Sequence, residues 1–193
     1  MRKFKANKRM VAAKKLIEEN EGTKAPQGAQ YDEEGCQYLG TLHYFVKISP
    51  EHVLRKVPAA KGEVIDLPNL ASNFFKGRDK DSLLVARVTL QEMKEQTAIQ
   101  EAAADESTEF KPVLRIKDFF FNPTYVVTCM EILGADEATL EFNNDKIHSL
   151  IVIHADKGKG AVAPLNRYRL ENADKYENYV PLSGRISSTF YMR

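Results

Sequence analysis

The sequence lacks the features that would assign it to several large classes of protein. Of its 193 residues only two are cysteines, Cys36 and Cys129, and they lie far apart with no CxxC pair. Neither a disulfide framework nor a zinc ribbon is therefore expected, and the pair fits a reducing compartment. No stretch approaches the roughly 20 apolar residues that span a bilayer, and Met-Arg-Lys-Phe-Lys at the start has no apolar signal region. We expect cytoplasmic localisation, no membrane partner and no cofactor.

Net charge is nearly absent as well. The sequence holds 28 basic and 27 acidic side chains, so its total charge carries no nucleic-acid signature. The distribution is uneven, because the first 15 residues hold seven basic side chains and no acid, whereas residues 91–110 are acidic with a single lysine. Such asymmetry can create a locally positive face on a neutral protein.

The most readable pattern runs from Phe119 to Leu165. Asn122 and Pro123 predict the start of a helix, and Gly134 can adopt the left-handed conformation that ends one. Between them, apolar residues recur at three- and four-residue spacing, at Val126, Val127, Met130 and Leu133. The hydrophobic period then changes to that of strands, which we predict at 138–142, 147–153 and 161–165, with turns at 143–145 and 156–160.

The first helix is predicted from about Lys8 to Asn20, with Asn7 as its N-cap. Its apolar face comprises Met10, Ala13, Leu16 and Ile17, and its opposite face carries Lys8, Lys14 and Lys15. The remaining predicted strands are 3–5, a hairpin region at 31–49, 63–67, 82–90 and 111–117, and a short helix is predicted at 70–76. Residues 91–105 fit either a helix or a mobile acidic link.

A weak internal repetition of strand, helix and further strands predicts an α+β fold with antiparallel sheets and helices on one side. The predicted organisation is a first half at 1–110, a second half at 111–165 and a C-terminal tail at 166–193. That tail mixes arginines with tyrosines and has no clear period.

One set of side chains could suit a small-molecule enzyme. His154 and Asp156 share a strand face, and with Cys129 they would supply a base, an orienting carboxylate and a nucleophile. His148 lies about 20 Å along the same strand, too far to share one metal ion with His154. A core cysteine beside a strand-end histidine is far more common, and Asp156-Lys-Gly-Lys-Gly lacks the spacing of a nucleotide-binding loop.

The chain resembles the bacterial sliding clamp, the β subunit of DNA polymerase III. The run Phe119 to Leu165 is similar to the second half of one clamp domain, including Leu133-Gly134-Ala135-Asp136-Glu137 and the closing Val162-Ala163-Pro164-Leu165-Asn166-Arg167. Arg2 to Asn20 resembles the opening strand and helix of such a domain. The two stretches make up about a third of the chain.

The resemblance implies a non-enzymatic protein of DNA replication and processivity, whose repeated units line a basic channel with helices. It implies that Lys8, Lys14 and Lys15 on the first helix face DNA. We predict sequence-independent phosphate contacts from these three residues and further contacts from Lys157, Lys159 and Arg167. A single domain of this kind would need several copies to form a ring, so a homo-oligomer or a partial clamp is expected. The second helix departs from the pattern, because it contains no lysine or arginine.

The alternative function is a protein-interaction or structural assembly component that does not bind nucleic acid. Its Phe-rich segments and aromatic tail would be interface anchors. This alternative predicts a defined oligomer that is lost when residues Asn166 to Arg193 are removed.

Overall fold

The computed structural model describes residues 7–62, 64–75, 83–102, 113–116, 119–143, 149–165 and 191–192. The helices in this part of the chain are α1 (Lys8–Glu19), α2 (Leu67–Phe74), α3 (Leu90–Ala102) and α4 (Pro123–Leu133), with one 3₁₀ turn at Pro50–His52. The strands are β1 (Gln30–Tyr31), β2 (Gln37–Gly40), β3 (Tyr44–Ile48), β4 (Leu83–Thr89), β5 (Leu114–Ile116), β6 (Phe119–Phe121), β7 (Glu137–Asn143), β8 (Ile151–Ala155), β9 (Gly158–Val162) and β10 (Tyr191–Met192).

Eight of these strands form one antiparallel sheet in the order β1-β2-β3-β9-β8-β7-β4-β10, and β5 pairs with β6 in a separate ribbon. The predicted α+β class with antiparallel strands is confirmed. Strands from before and after position 110 pair with one another in the large sheet, since β3 pairs with β9 and β4 pairs with β7. The two predicted halves therefore share one sheet.

The two faces of the sheet carry different cores. On β3, Tyr44, Val46 and Ile48 join the larger core beneath α1 and α4, while Phe45 joins a smaller core with Leu67 of α2. This follows from the two-residue period of a strand, which sends alternate side chains to opposite faces. Both α1 and α3 pack against α4 on the first face, whereas the eight-residue α2 covers part of the second.

Local signals set the ends of the two best-predicted helices. The Asn7 side chain accepts a hydrogen bond from the Arg9 amide, and the Asn122 side chain accepts one from the Thr124 amide. Gly134 ends α4 in the left-handed region, with φ of 63°. Residues 91–102 resolve the open alternative in favour of a helix, α3.

Other predicted elements differ from the structure. The Gly-Lys-Gly run at 158–160, predicted as a turn, belongs to β9, and the strand predicted at 161–165 ends at Val162. Residues 64–66 of the strand predicted at 63–67 are not in a strand, and Leu67 begins α2. The strand predicted at 3–5, His148, Arg167 and most of the tail lie outside the described residues.

Candidate nucleic-acid interface

The outer face of α1 presents the lysines that the sequence predicted to be exposed. Lys8, Lys14 and Lys15 are all exposed, and Val11 between them has an exposed fraction of 56%. The opposite side of the helix places Ala13 and Leu16 in the core, with Met10 and Ile17 packed against it. An ion pair of 3.7 Å joins Lys15 to Glu19 within the helix, but both side chains are exposed and such pairs contribute little. The lysines thus form a solvent-facing stripe on a firmly seated helix.

Arg9 fixes the start of α1 against the end of α4. Its guanidinium donates from Nε to the carbonyl of Ile132 at 2.8 Å and from Nη2 to the carbonyl of His52 at 3.0 Å. The last carbonyls of a helix have no partner within the helix and carry partial negative charge, so a cation is favourable there. Burial lowers the pKa of Arg9 from its usual value. The sequence analysis did not single out Arg9, since its contacts depend on segments distant in sequence.

Lys157 lies at the same end of the molecule. Its ammonium donates to the carbonyl of Gly134 at 3.2 Å, immediately after α4 and close to the side chain of Arg9. Lys157 is therefore near the N-terminal end of the α1 lysine stripe, where it can add to the local positive potential.

Lys159 lies on the other face of the sheet. It is opposite Lys47 on β3, and its ammonium is 6.0 Å from the centre of the Phe75 ring, beside the smaller core. The predicted phosphate-contacting residues consequently do not form one surface. The face of the sheet that α1, α3 and α4 cover is the side on which Lys8, Lys14, Lys15 and Lys157 lie. Lys159 lies on the opposite face, and Arg167 is outside the described residues.

The layer formed by α1, α4 and α3 has an uneven distribution of charge. The central helix α4 has no basic residue, and its Glu131 is paired with Lys94 of α3 at 2.5 Å. On α3, the exposed side chains include Glu92, Glu95 and Glu101. One flank of the layer is thus basic and the other acidic, so within the described residues of these three helices a phosphate would be favoured on the α1 side.

The structure excludes the arrangement of Cys129, His154 and Asp156 as a catalytic triad. His154 and Asp156 line an open polar cleft of about 550 Å³, and the His154 ring contacts the Glu141 carboxylate. Cys129 is fully buried on the opposite face of the sheet, where its Sγ lies 3.8 Å from the carbonyl oxygen of Phe45. Burial also raises the pKa of the Cys129 thiol, which disfavours the reactive thiolate.

A second cleft, of about 460 Å³, lies between α2 and the turn that joins β1 to β2. Its charged centre is Lys47, whose ammonium is 3.2 Å from Asp32 and 3.7 Å from Glu34. Ligand atoms of Asp32, Glu34 and Cys36 lie within 4.8 Å of one another, but Lys47 already supplies the positive charge that these carboxylates require. The cleft is thus held together by an internal ion pair.

The ionisation of this cluster also disfavours nucleophilic chemistry. Burial and the hydrogen bond to Asp32 raise the pKa of Tyr38 to about 12. Burial raises the pKa of Cys36 too. For Lys47, burial opposes the charged form, but hydrogen bonds with Tyr38 and Asp32 outweigh it and raise the pKa. All three groups therefore keep their protons at neutral pH, whereas a nucleophile must lose one.

No protein-family model and no curated protein matches the chain. Among solved structures, it is similar to DNA polymerase III subunit beta from Borrelia burgdorferi, with 11% identity, a TM-score of 0.45 and coverage of 83% of this chain and 61% of that one. It is also similar to the same subunit from Thermotoga maritima, with 12% identity, a TM-score of 0.38 and coverage of 68% of this chain and 41% of that one.

The chain is similar as well to the same subunit from Pseudomonas aeruginosa, with 10% identity, a TM-score of 0.37 and coverage of 68% of this chain and 42% of that one. The chain thus spans less than two thirds of the length of these proteins. The resemblance predicted from the sequence is confirmed as a weak likeness of fold. Within the described residues, no helix is long and apolar enough to cross a membrane.

Proposed function

We propose that this protein is a non-enzymatic, clamp-like module that associates with DNA through sequence-independent phosphate contacts of α1. The observation that carries the proposal is the stripe of Lys8, Lys14 and Lys15, all exposed on a helix whose other side is buried. Lys157 adds a fourth cation near the start of this helix. Lysines on a helix face neutralise phosphates without reading bases, so the binding has no sequence preference.

The division of the helix layer defines how DNA would lie. The duplex backbone would follow α1 and stay away from α3, because Glu92 and Glu95 would repel it. One chain therefore grips DNA along one helix rather than across the whole layer, and several copies would be needed to surround a duplex. Lys159 is outside this surface, and a role for it or for Arg167 in phosphate binding stays a prediction.

Retention of a short duplex at low ionic strength tests the proposal. The α1 variant replaces Lys8, Lys14 and Lys15 by Gln. A matched control makes the same replacement at three lysines that are exposed elsewhere, Lys24, Lys56 and Lys61. Each lost phosphate contact should reduce the slope of log K against log salt by about 0.9. We expect this reduction in the α1 variant alone. Failure of the unmodified protein to retain DNA, or equal losses in both variants, would refute the proposal.

A protein-interaction role is the second candidate, and the acidic α3 favours it. DNA binding gives no use to a helix that exposes Glu92, Glu95 and Ile99 on the flank opposite the lysine stripe. The earlier expectation that an oligomer would depend on residues Asn166 to Arg193 is tested by sizing the chain with and without that tail. An oligomer that ignores DNA would favour this role.

A further inference from the structure

Helices α1 and α3 present solvent-facing stripes with the same spacing. On α1 this stripe differs from the lysine stripe described above and consists of Lys8, Val11, Lys15 and Glu18. On α3 it consists of Glu92, Glu95, Ile99 and Ala102. Each set follows the i, i+3, i+7, i+10 pattern that keeps residues on one side of a helix. Val11 and Ile99 have exposed fractions of 56% and 52%, and they are two of the four large apolar side chains exposed among the described residues. Each stripe thus has an apolar centre and neighbouring charges.

We propose that α1 of one copy docks antiparallel on α3 of a second copy, with Val11 against Ile99 and Lys15 against Glu95. The helices have 12 and 13 residues, so they match in length. Val11 stands three residues from the start of α1, and Ile99 stands three residues from the end of α3. Antiparallel alignment therefore brings the two apolar side chains together without displacing the helix ends, and it places Lys15, four residues after Val11, opposite Glu95, four residues before Ile99.

Charge disfavours the symmetric pairings in parallel alignment. Two parallel copies of α1 would oppose Lys8 to Lys8 and Lys15 to Lys15, and two parallel copies of α3 would oppose Glu92 to Glu92 and Glu95 to Glu95, which costs free energy. Lys15 and Glu95 each have a partner within their own helix, and these partners compete only weakly with the contact between copies. Lys15 is 3.7 Å from the exposed Glu19, and Glu95 accepts a hydrogen bond of 2.7 Å from the Gln91 side chain on the same helix surface.

The register also sets a limit on affinity. It places Glu18 opposite Glu92, which is a like-charge contact. Lys14, four residues before Glu18 on the same helix, offsets part of this repulsion. The Glu92 carboxylate is held by the amide and hydroxyl of Thr89, both at 2.9 Å. The contact is accordingly weak and reversible. It strengthens at low salt because α1 carries four basic and two acidic side chains whereas α3 carries one basic and three acidic ones, and their attraction is then less screened.

The contact joins two different surfaces, so it is heterologous. Each pair leaves one α1 and one α3 free, and assembly therefore continues by adding further copies as concentration rises. If α1 also binds DNA as proposed above, the two uses of Lys15 exclude each other. That consequence depends on the proposed function, whereas the docking itself does not.

A charge exchange tests the docking. Light scattering at increasing protein concentration and low salt would be applied to Lys15→Glu, to Glu95→Lys, to their mixture and to the double variant. Each single change sets like charges against each other and should weaken association about tenfold or more. In the mixture both contacts between the two variants are attractive, because the Lys15→Glu protein keeps Glu95 and the Glu95→Lys protein keeps Lys15. The double variant restores the attraction between identical copies. A matched control exchanges Lys24→Glu and Glu33→Lys, both exposed elsewhere, and should leave association unchanged.

Two outcomes would overturn the proposal: an unmodified protein that stays monomeric at every concentration, or single variants whose association is not recovered in the mixture. Retention of duplex DNA by the same proteins separates this result from the proposed function. Glu95→Lys should keep or increase DNA retention, while Lys15→Glu should weaken it. Recovery of association by charge exchange in proteins that never bind DNA would leave the docking in place and remove the proposed function.

Discussion

The guanidinium of Arg9, near the start of α1, donates a hydrogen bond to the main-chain carbonyl of Ile132, near the end of α4, at 2.8 Å. The same side chain reaches the carbonyl of His52 at 3.0 Å. One residue thus joins the basic helix to the central helix and to the 3₁₀ turn. Together with the burial of Ala13 and Leu16 in the core, this contact fixes which side of α1 faces solvent.

Replacing Arg9 by Met should lower the free energy of unfolding by about 1–3 kcal/mol, since two partly buried carbonyls lose a charged donor while the aliphatic packing is kept. Urea unfolding followed by circular dichroism measures the change. Lys14→Met is the matched control, and as an exposed substitution on the same helix it should stay within about 0.5 kcal/mol of the unmodified protein. Equal effects of the two substitutions would show that Arg9 does not hold the helix.

Gly158 and Gly160 are predicted to be intolerant of alanine for different reasons. A Cβ at Gly158 would lie 2.1 Å from the carbonyl oxygen of Lys47, and its φ of 149° is unfavourable for other residues. A Cβ at Gly160 would lie 3.2 Å from that of Cys129, which is a tight contact in a packed core. We expect Gly160→Ala to cost about 1–3 kcal/mol of unfolding free energy and Gly158→Ala to cost more.

Gly62 separates conformational strain from crowding. It has a φ of 81°, but a Cβ there would meet nothing within 4 Å. Thermal unfolding of Gly62→Ala should therefore show a smaller loss than Gly158→Ala. If Gly62→Ala were as damaging as Gly158→Ala, the close approach of β9 to β3 would not be the cause.

These glycines also show where sequence reasoning stops. The start of α1 and both ends of α4 are predicted correctly because Asn7, Asn122 and Gly134 act on neighbouring residues in the chain. Gly158 and Gly160 were assigned to a turn, yet their small size is required by contacts with Lys47 and Cys129, which are distant in sequence. The placement of Lys159 on the face opposite α1 depends on the register of β9, which local patterns do not specify.

The cluster of Asp32, Tyr38 and Lys47 should make stability depend on pH at both extremes. Burial by itself would raise the pKa of Asp32, but hydrogen bonds from Tyr38, the Cys36 amide and Lys47 outweigh it and lower the pKa below 3.8. This contribution is present above pH 3.8 and is lost as pH falls through the lowered pKa. The pKa values of Lys47 and Tyr38 are raised above 10.5 and 10.0, so their contributions are present below those values and are lost at higher pH.

Asp32→Asn should consequently lower stability between these limits, by about 1–2 kcal/mol, because an amide cannot replace a carboxylate for both Lys47 and Tyr38. The difference from the unmodified protein should disappear as pH falls through the lowered pKa of Asp32. Urea unfolding measured across the pH range provides the comparison, with Glu33→Gln as an exposed neighbour that should have no such profile. A constant difference at all pH values would contradict the assigned role of the Asp32 charge.

The thiol of Cys129 should not react with thiol reagents in the folded protein. It is fully buried, and burial raises the pKa of its thiol, so both access and thiolate formation are disfavoured. Cys36→Ser leaves Cys129 as the single thiol, and labelling of this variant with a disulfide reagent at mildly alkaline pH would be followed over time. The labelling rate should follow the unfolded fraction of the protein, should not exceed the rate of global unfolding and should increase with denaturant, because only unfolding exposes the sulfur. Rapid labelling without denaturant would instead place a reactive thiol at an accessible position and reopen the case for nucleophilic catalysis.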